Sequence, residues 1–300
     1  MATQCSIHLY AESLESAQVA AGHAQKEIER IEECYSRYRP GSFLSEINRV
    51  AERGGSIELD EETASLFAYA RACYEKSDGL FDITSGILRR AWNFSSGVLP
   101  ERKEVERLLS LVGLEKIVWE LPRLTFRIPG MEVDLGGIGK EYAADRAAEI
   151  CLESGIHHGL IELGGDIRVI GPHPDQSSWK IGIRNPFMPD TTAGTVELSS
   201  GGLATSSDYQ RRIEVDGKFY GHLLHPKTGR PVAGLVSVSA MADNCLAAGS
   251  ITTLAMLRGE AGKDWFSALN PSLRYLWIDR DGTIGGPLAA TFPSLVKPPR

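Results

Sequence analysis

The 300-residue chain has no hydrophobic run long enough to cross a bilayer, which excludes a helical membrane span. It has no block of basic residues, and its formal net charge is −7, so long-range attraction to a nucleic-acid duplex is excluded as a binding principle. Five cysteines, Cys5, Cys34, Cys73, Cys151 and Cys245, are widely spaced and form no Cys-x-x-Cys pair. That usage excludes a zinc cluster or a disulfide framework and predicts reduced thiols. No internal repeat, low-complexity tract or linker interrupts the chain, which reads as one domain over residues 1–300. Met1 to His8 lack the charged start and apolar core of a signal peptide, and the expectation is a cytoplasmic protein.

What is present is ordinary material for a sizeable core: 42% hydrophobic and 24% charged residues exclude disorder. Alternation predicts a strand over 4–10, and Ala20, Ala24, Ile28 and Ile31 at helical spacing predict a helix over 13–35. A loop with Pro40 and Gly41 follows. Further helices are expected over 61–76 and over 101–112, the latter between Pro100 and Gly113. Residues 116–120, 123–127 and 131–135 read as a hairpin-rich run. After a helix over 140–154, strands are predicted at 159–163, 166–171, 179–184, 194–199, 211–216, 219–224 and 234–240. Helices over 245–257 and 261–269 and a strand over 273–279 close the pattern. Hairpins outnumber any βαβ rhythm, so the fold class is α+β, with mostly antiparallel sheets and flanking helices.

One run concentrates chemistry: Val133-Asp134-Leu135-Gly136-Gly137-Ile138-Gly139-Lys140-Glu141-Tyr142. It places a carboxylate, three glycines and a lysine between a predicted strand and a helix start. Glycines there allow a sharp turn and close approach to a ligand, and helix-start amides favour an anion. A tight strand-to-helix turn with a solvated lysine would read the same way.

Companion motifs stand elsewhere. They are Ser36-Arg37-Tyr38-Arg39-Pro40-Gly41-Ser42, Asp78-Gly79-Leu80-Phe81-Asp82-Ile83-Thr84, Glu162-Leu163-Gly164-Gly165-Asp166, Ala204-Thr205-Ser206-Ser207-Asp208-Tyr209 and His222-Leu223-Leu224-His225-Pro226. In this order and at these separations the set resembles the ApbE family of FAD:protein FMN transferases. The resemblance implies a mixed α/β fold of two lobes with an FAD cleft. It also implies binding of FAD and Mg²⁺, and transfer of FMN to a threonine or serine hydroxyl of a partner protein with release of AMP. Alternatives on the same scaffold are a Mg²⁺-dependent FAD pyrophosphatase and a non-catalytic FAD-binding protein.

Residue by residue, the resemblance implies that Met1 and Tyr38 pack the flavin nucleotide and that Leu80, Phe81, Asp82, Asp134 and Lys140 line FAD. Asp82 could equally cap the turn that starts there, and Tyr38 could simply anchor its loop. The Gly137 carbonyl is expected on the metal, facing a helix start at Ala248-Gly249-Ser250-Ile251-Thr252-Thr253, so Gly137, Gly249, Thr252 and Thr253 form the expected metal set. Two departures stand out. Gly249 replaces the family's metal-binding aspartate, and His225 replaces an aspartate of a His-x-x-Asp-Pro motif. Losing a carboxylate weakens a divalent site unless another acid compensates, and Asp208 and Asp243 are the expected compensators. His222 is the candidate general base, since its ordinary pKa lies near working pH; a structural histidine between strands is the other reading. Lys140 would help polarise the pyrophosphate, and His225 could donate to phosphate.

Overall fold

Helical spacing in Ala20, Ala24, Ile28 and Ile31 is realised as one face of a long helix on which all four residues are buried. In the computed structural model the chain runs β1 (Cys5–Tyr10), α1 (Leu14–Tyr35), α2 (Phe43–Arg53), β2 (Gly55–Glu58), α3 (Glu61–Lys76), α4 (Arg102–Leu109), β3 (Ile117–Glu120) and β4 (Arg123–Phe126). It continues through α5 (Gly139–Glu153), β5 (His158–Leu163), β6 (Asp166–Gly171), β7 (Trp179–Arg184), β8 (Thr192–Leu198), β9 (Gly201–Ser207), β10 (Arg212–Val215) and β11 (Lys218–Gly221). Then come β12 (Leu235–Ala242), α6 (Cys245–Leu257), α7 (Gly262–Leu269), β13 (Arg274–Asp279) and β14 (Ile284–Gly285). Residues 1–2, 95, 121, 189, 209–211, 216, 294 and 296–300 lie outside the description, which covers the rest of the chain. Among the described residues no helix is long and apolar enough to cross a membrane.

Contacts divide the chain into two units. The larger comprises Met1–Glu32, Ile138–Tyr209 and Ala233–Arg300. It is built on a seven-stranded sheet in the order β1-β5-β6-β9-β12-β13-β14. Every pairing in it is antiparallel, as the hairpin-rich pattern predicted. One face packs Leu160, Ile167, Val169, Leu203, Met241 and Leu276 against Ile181, Ile183, Val196 and Leu198 of the β7–β8 hairpin. Helices α5 and α6 pack on the sheet from β5, β6, β9 and β12. That burial explains the composition of α6, whose buried residues run from Cys245 to Leu257 on all sides rather than along one stripe.

The smaller unit comprises Glu33–Gly137 and Gln210–Val232. It holds a three-stranded antiparallel sheet, β2-β4-β3, and the β10–β11 hairpin. A 3₁₀ segment, Ile83–Arg90, supplies Ile87 and Leu88 to a core with Trp92, Leu108, Val112, Ile213 and Leu224.

Three differences from the sequence-based pattern have physical causes. Helix α2 occupies the stretch after Pro40 and Gly41, started by Ser42, whose hydroxyl accepts the Ser45 N–H at 3.0 Å, and buried through Leu44, Ile47 and Ala51. Strand β9 is rich in glycine, alanine and serine, which carry little strand signal, yet it pairs on both sides with β6 and β12. Residues 131–135 bury Met131, Val133 and Leu135 in the predicted alternation but join no sheet. Their ladder partner is a side chain: Val133 N–H donates to Asn48 Oδ1 at 2.7 Å, and Asn48 Nδ2 donates to the Val133 carbonyl at 3.0 Å. The junction is therefore an extended segment entering a helix, not a strand entering one.

Candidate functional site

The extended segment carries its own acids inward. In the smaller unit Glu132 is buried and bonded to both Arg37 and Arg90, the latter at 2.8 Å. Asp134 accepts from Arg37 Nη1 at 2.8 Å and lies 3.7 Å from Arg89, while its other oxygen accepts the Gly136 N–H at 2.8 Å. Arg37 also donates to the Gly86 carbonyl at 3.2 Å. Burial alone would lower the Arg37 pKa, but Asp134 and Glu132 outweigh it and raise the value. Asp134, expected on FAD, is thus tied into a protein ion-pair network, which the sequence motif did not reveal.

Asp82 is buried, and its Oδ1 accepts from the Thr84 N–H at 2.8 Å and the Thr84 hydroxyl at 2.6 Å. Its Oδ2 accepts the Leu114 N–H at 3.2 Å, so of the two roles open to it the capping one is observed. Burial raises its pKa against those bonds. Phe81 is buried as well, and a Cβ on Gly137 would stand 3.3 Å from its ring, so a glycine at 137 accommodates the phenyl group. Leu80 is half-buried. Tyr38 is the opposite case: 74% exposed, with the Arg37 guanidinium 5.8 Å from its ring centroid, it presents an aromatic face to solvent. Met1 lies outside the described residues.

His222 follows β11 and is half-buried; Leu224 then bridges to Pro231. His225 heads the turn between them, where its Nδ1 accepts the Lys227 N–H at 3.1 Å. Its backbone carbonyl accepts from Thr228 and Gly229. An aspartate at the head of a turn bonds the amide two residues on in the same way. The departure at 225 therefore preserves the turn, and the acceptor role at Nδ1 puts the imidazole proton on Nε2. Burial, then the Lys227 charge, hold its pKa below the ordinary value.

In the larger unit the site residues gather where α5 begins. The residue ahead of this helix is Ile138, which gives it no side-chain cap. Lys140 is not simply solvated. Its ammonium bonds Asp166 and lies 3.3 Å from Glu141 Oε1, with its side chain 37% exposed. Burial would lower its pKa; Glu141 and Asp166 reverse that and raise it. Asp166, on β6, also accepts the Thr205 N–H of β9 at 3.1 Å. Glu141 is buried, and that burial pushes its pKa up against the attraction of Lys140.

Helix α6 faces this cluster through a glycine. One turn further along α5, Asp145 accepts the N–H groups of Cys245 and Leu246 at 2.8 and 2.9 Å, capping the start of α6 alongside Asn244. That bond sets the register of the two helices, and Gly249, one turn into α6, meets Glu141. The two hydroxyls expected on a metal differ in environment. Thr252 is fully buried and donates to the Gly249 carbonyl at 2.9 Å, whereas Thr253 is half-buried and lies 3.3 Å from the Ser206 hydroxyl. Asp208 pairs with Arg280 at 3.0 Å and Asp243 accepts from Arg168 through its backbone carbonyl. The side chain that stands against Gly249 is that of Glu141, unforeseen from the sequence. Among the described residues no group of three or more histidine, cysteine, aspartate and glutamate side chains converges as a metal cage. A cation here would draw on hydroxyls, carbonyls and one or two carboxylates, a donor set that suits Mg²⁺.

Comparison with known proteins agrees across the chain. The family model described as "ApbE family" matches residues 1–277. A Vibrio cholerae protein named FAD:protein FMN transferase is 30% identical over 239 residues, covering 78% of this chain and 71% of the relative. A Rhodobacter capsulatus protein of the same name is 32% identical over 234 residues; the match covers 76% of this chain but only 44% of that relative. Among solved structures, the ApbE protein of Thermotoga maritima superposes with a TM-score of 0.85 at 32% identity, covering 94% of this chain and 93% of its own. The flavin transferase ApbE of Vibrio cholerae gives 0.79 at 26% identity, with 93% and 91% covered.

Proposed function

This chain belongs to the ApbE family, and from that premise we propose that it is an FAD:protein FMN transferase acting on a threonine or serine hydroxyl of a partner protein. The observation that carries the reading is the cluster of half-buried Lys140 with buried Glu141 and Asp166 at the uncapped start of α5, in a chain that matches the family over residues 1–277. Helix-start amides and an ammonium suit a pyrophosphate. In the reaction the acceptor oxygen bonds to the FMN phosphorus, the bond from that phosphorus to the bridging oxygen breaks, and AMP departs. Such transfers need positioning and charge neutralisation more than covalent help.

Within this reading His222 takes the acceptor hydroxyl proton. Lys140 supplies positive charge to the pyrophosphate while Asp166 holds its ammonium. Tyr38 offers its exposed ring to a flat group of FAD. Asp82 and Phe81 act indirectly, by shaping the loop that carries Leu80. Mg²⁺, when bound, would neutralise phosphate charge; within the larger unit Thr253 and the buried Glu141 oxygen with no hydrogen-bond partner fit such an ion by chemistry.

Incubation with FAD, Mg²⁺ and a peptide of the type Asp-x-x-Thr/Ser-Gly-Ala-Thr/Ser tests the proposal. Covalent FMN on the peptide is the expected product. Free FMN without peptide would identify a pyrophosphatase, and intact bound FAD a binding protein. His222→Ala should lower the single-turnover rate by roughly 10²–10⁴-fold with FAD binding retained, the range for loss of a general base; an undiminished rate would remove His222 from that role.

A further inference from the structure

Position 249 and the side chain of Glu141 occupy one volume. A Cβ built on Gly249 would lie 2.5 Å from Glu141 Cγ, 3.0 Å from its Cδ and 3.1 Å from Oε1. Any larger residue at 249 therefore excludes the present Glu141 side chain, and glycine admits it. The meeting is fixed by the helix pair. Asp145 holds the first amides of α6, and one turn away along each helix the partners are Glu141 and Gly249.

Glu141 brings a carboxylate to a volume where position 249 can supply none. It is 6% exposed, and its two oxygens are treated unequally. Oε1 lies 3.3 Å from the Lys140 ammonium, whereas Oε2 is buried with no hydrogen-bond partner. Asp166 differs, because its two oxygens are taken up by Lys140 and by the Thr205 amide. A buried carboxylate oxygen without a donor is costly, and a cation is the partner that removes the cost.

We propose that Glu141, through Oε2, supplies the carboxylate ligand for a divalent cation that Gly249 lacks, so that the acid of the metal site is carried by α5 and not by α6. The inference rests on the flavin-transferase reading of the same site. It makes the two positions an exchangeable pair: glutamate with glycine, or glycine with aspartate.

The test uses the full chain and Mn²⁺ as a paramagnetic probe, titrated with and without FAD, with FAD binding followed separately by quenching of flavin fluorescence. Glu141→Gln keeps the side-chain volume and should weaken Mn²⁺ binding by roughly 10–100-fold, the scale seen when a metal site loses a supporting group. Gly249→Asp alone should lose thermal stability through collision with Glu141. The double variant Glu141→Gly with Gly249→Asp should recover both stability and Mn²⁺ affinity, a result that a purely structural glutamate would not produce. A protein that binds FAD but holds Mn²⁺ as tightly with glutamine at 141 overturns the assignment and leaves the transferase reading standing. A wild-type protein that binds neither FAD nor Mn²⁺ overturns both.

Discussion

Glu132 and Asp134 precede the glycine-rich run and Lys140 and Glu141 follow it, yet the two groups of buried acids are completed in different ways. In the smaller unit three guanidinium groups, Arg37, Arg89 and Arg90, serve two carboxylates, and a backbone amide takes another oxygen of Asp134. In the larger unit one ammonium serves Asp166 and Glu141, and one oxygen of Glu141 is left without a hydrogen-bond partner. Arginine's planar fork can satisfy several acceptors at once, while lysine is a point charge. The first cluster is complete within the protein and holds the 131–135 segment in place. The second leaves one carboxylate oxygen without a donor.

The comparison breaks hardest at Arg37. Arg37→Met leaves two buried carboxylates short of their main partner and should cost about 3–5 kcal/mol, the scale for breaking a buried pair. The midpoint of urea unfolding reads this, and an unchanged midpoint would show that Arg89 and Arg90 alone complete the cluster. Lys140→Met should cost less, about 2 kcal/mol, because Lys140 is partly exposed and Glu141 can neutralise itself by taking a proton. If Lys140→Met proves the more damaging of the two, the division into a complete and an incomplete cluster is wrong.

The smallest effect lies at His225, which joins neither cluster. Its folded pKa sits below the ordinary 6.5, so the unfolded chain binds more protons as pH drops past that value. Its contribution to stability is complete above about pH 6.5 and is lost as pH falls through the folded value. His225→Asp should keep the turn, leave stability at neutral pH almost unchanged and flatten this part of the profile. Unfolding midpoints measured from pH 7.5 down to 5 check it.

Much of this architecture was readable from periodicity and caps. The 61–76 helix, the Asp166–Gly171 and Trp179–Arg184 strands and the α6 segment lie where pattern placed them. Asp82 shows where such reading stops: the sequence does not reveal the partners of an aspartate before a turn, and only the structure brings the Thr84 and Leu114 amides onto it. Helix α2 carried a visible signal in Ser42 and the Leu44, Ile47, Ala51 spacing. Strand β9 carried almost none, because its pairing comes from neighbours and not from its own side chains.

By itself the sequence determined the α+β class, the order and spacing of the motifs and the glycine at position 249. These are properties of residue identity and spacing along the chain. Which acid stands against that glycine was decided only by the tertiary structure. Glu141 and Gly249 lie on different helices, and their meeting depends on a register set by Asp145 on the amides of Cys245 and Leu246. No local pattern encodes that register, because it is the packing of one helix against another that defines it.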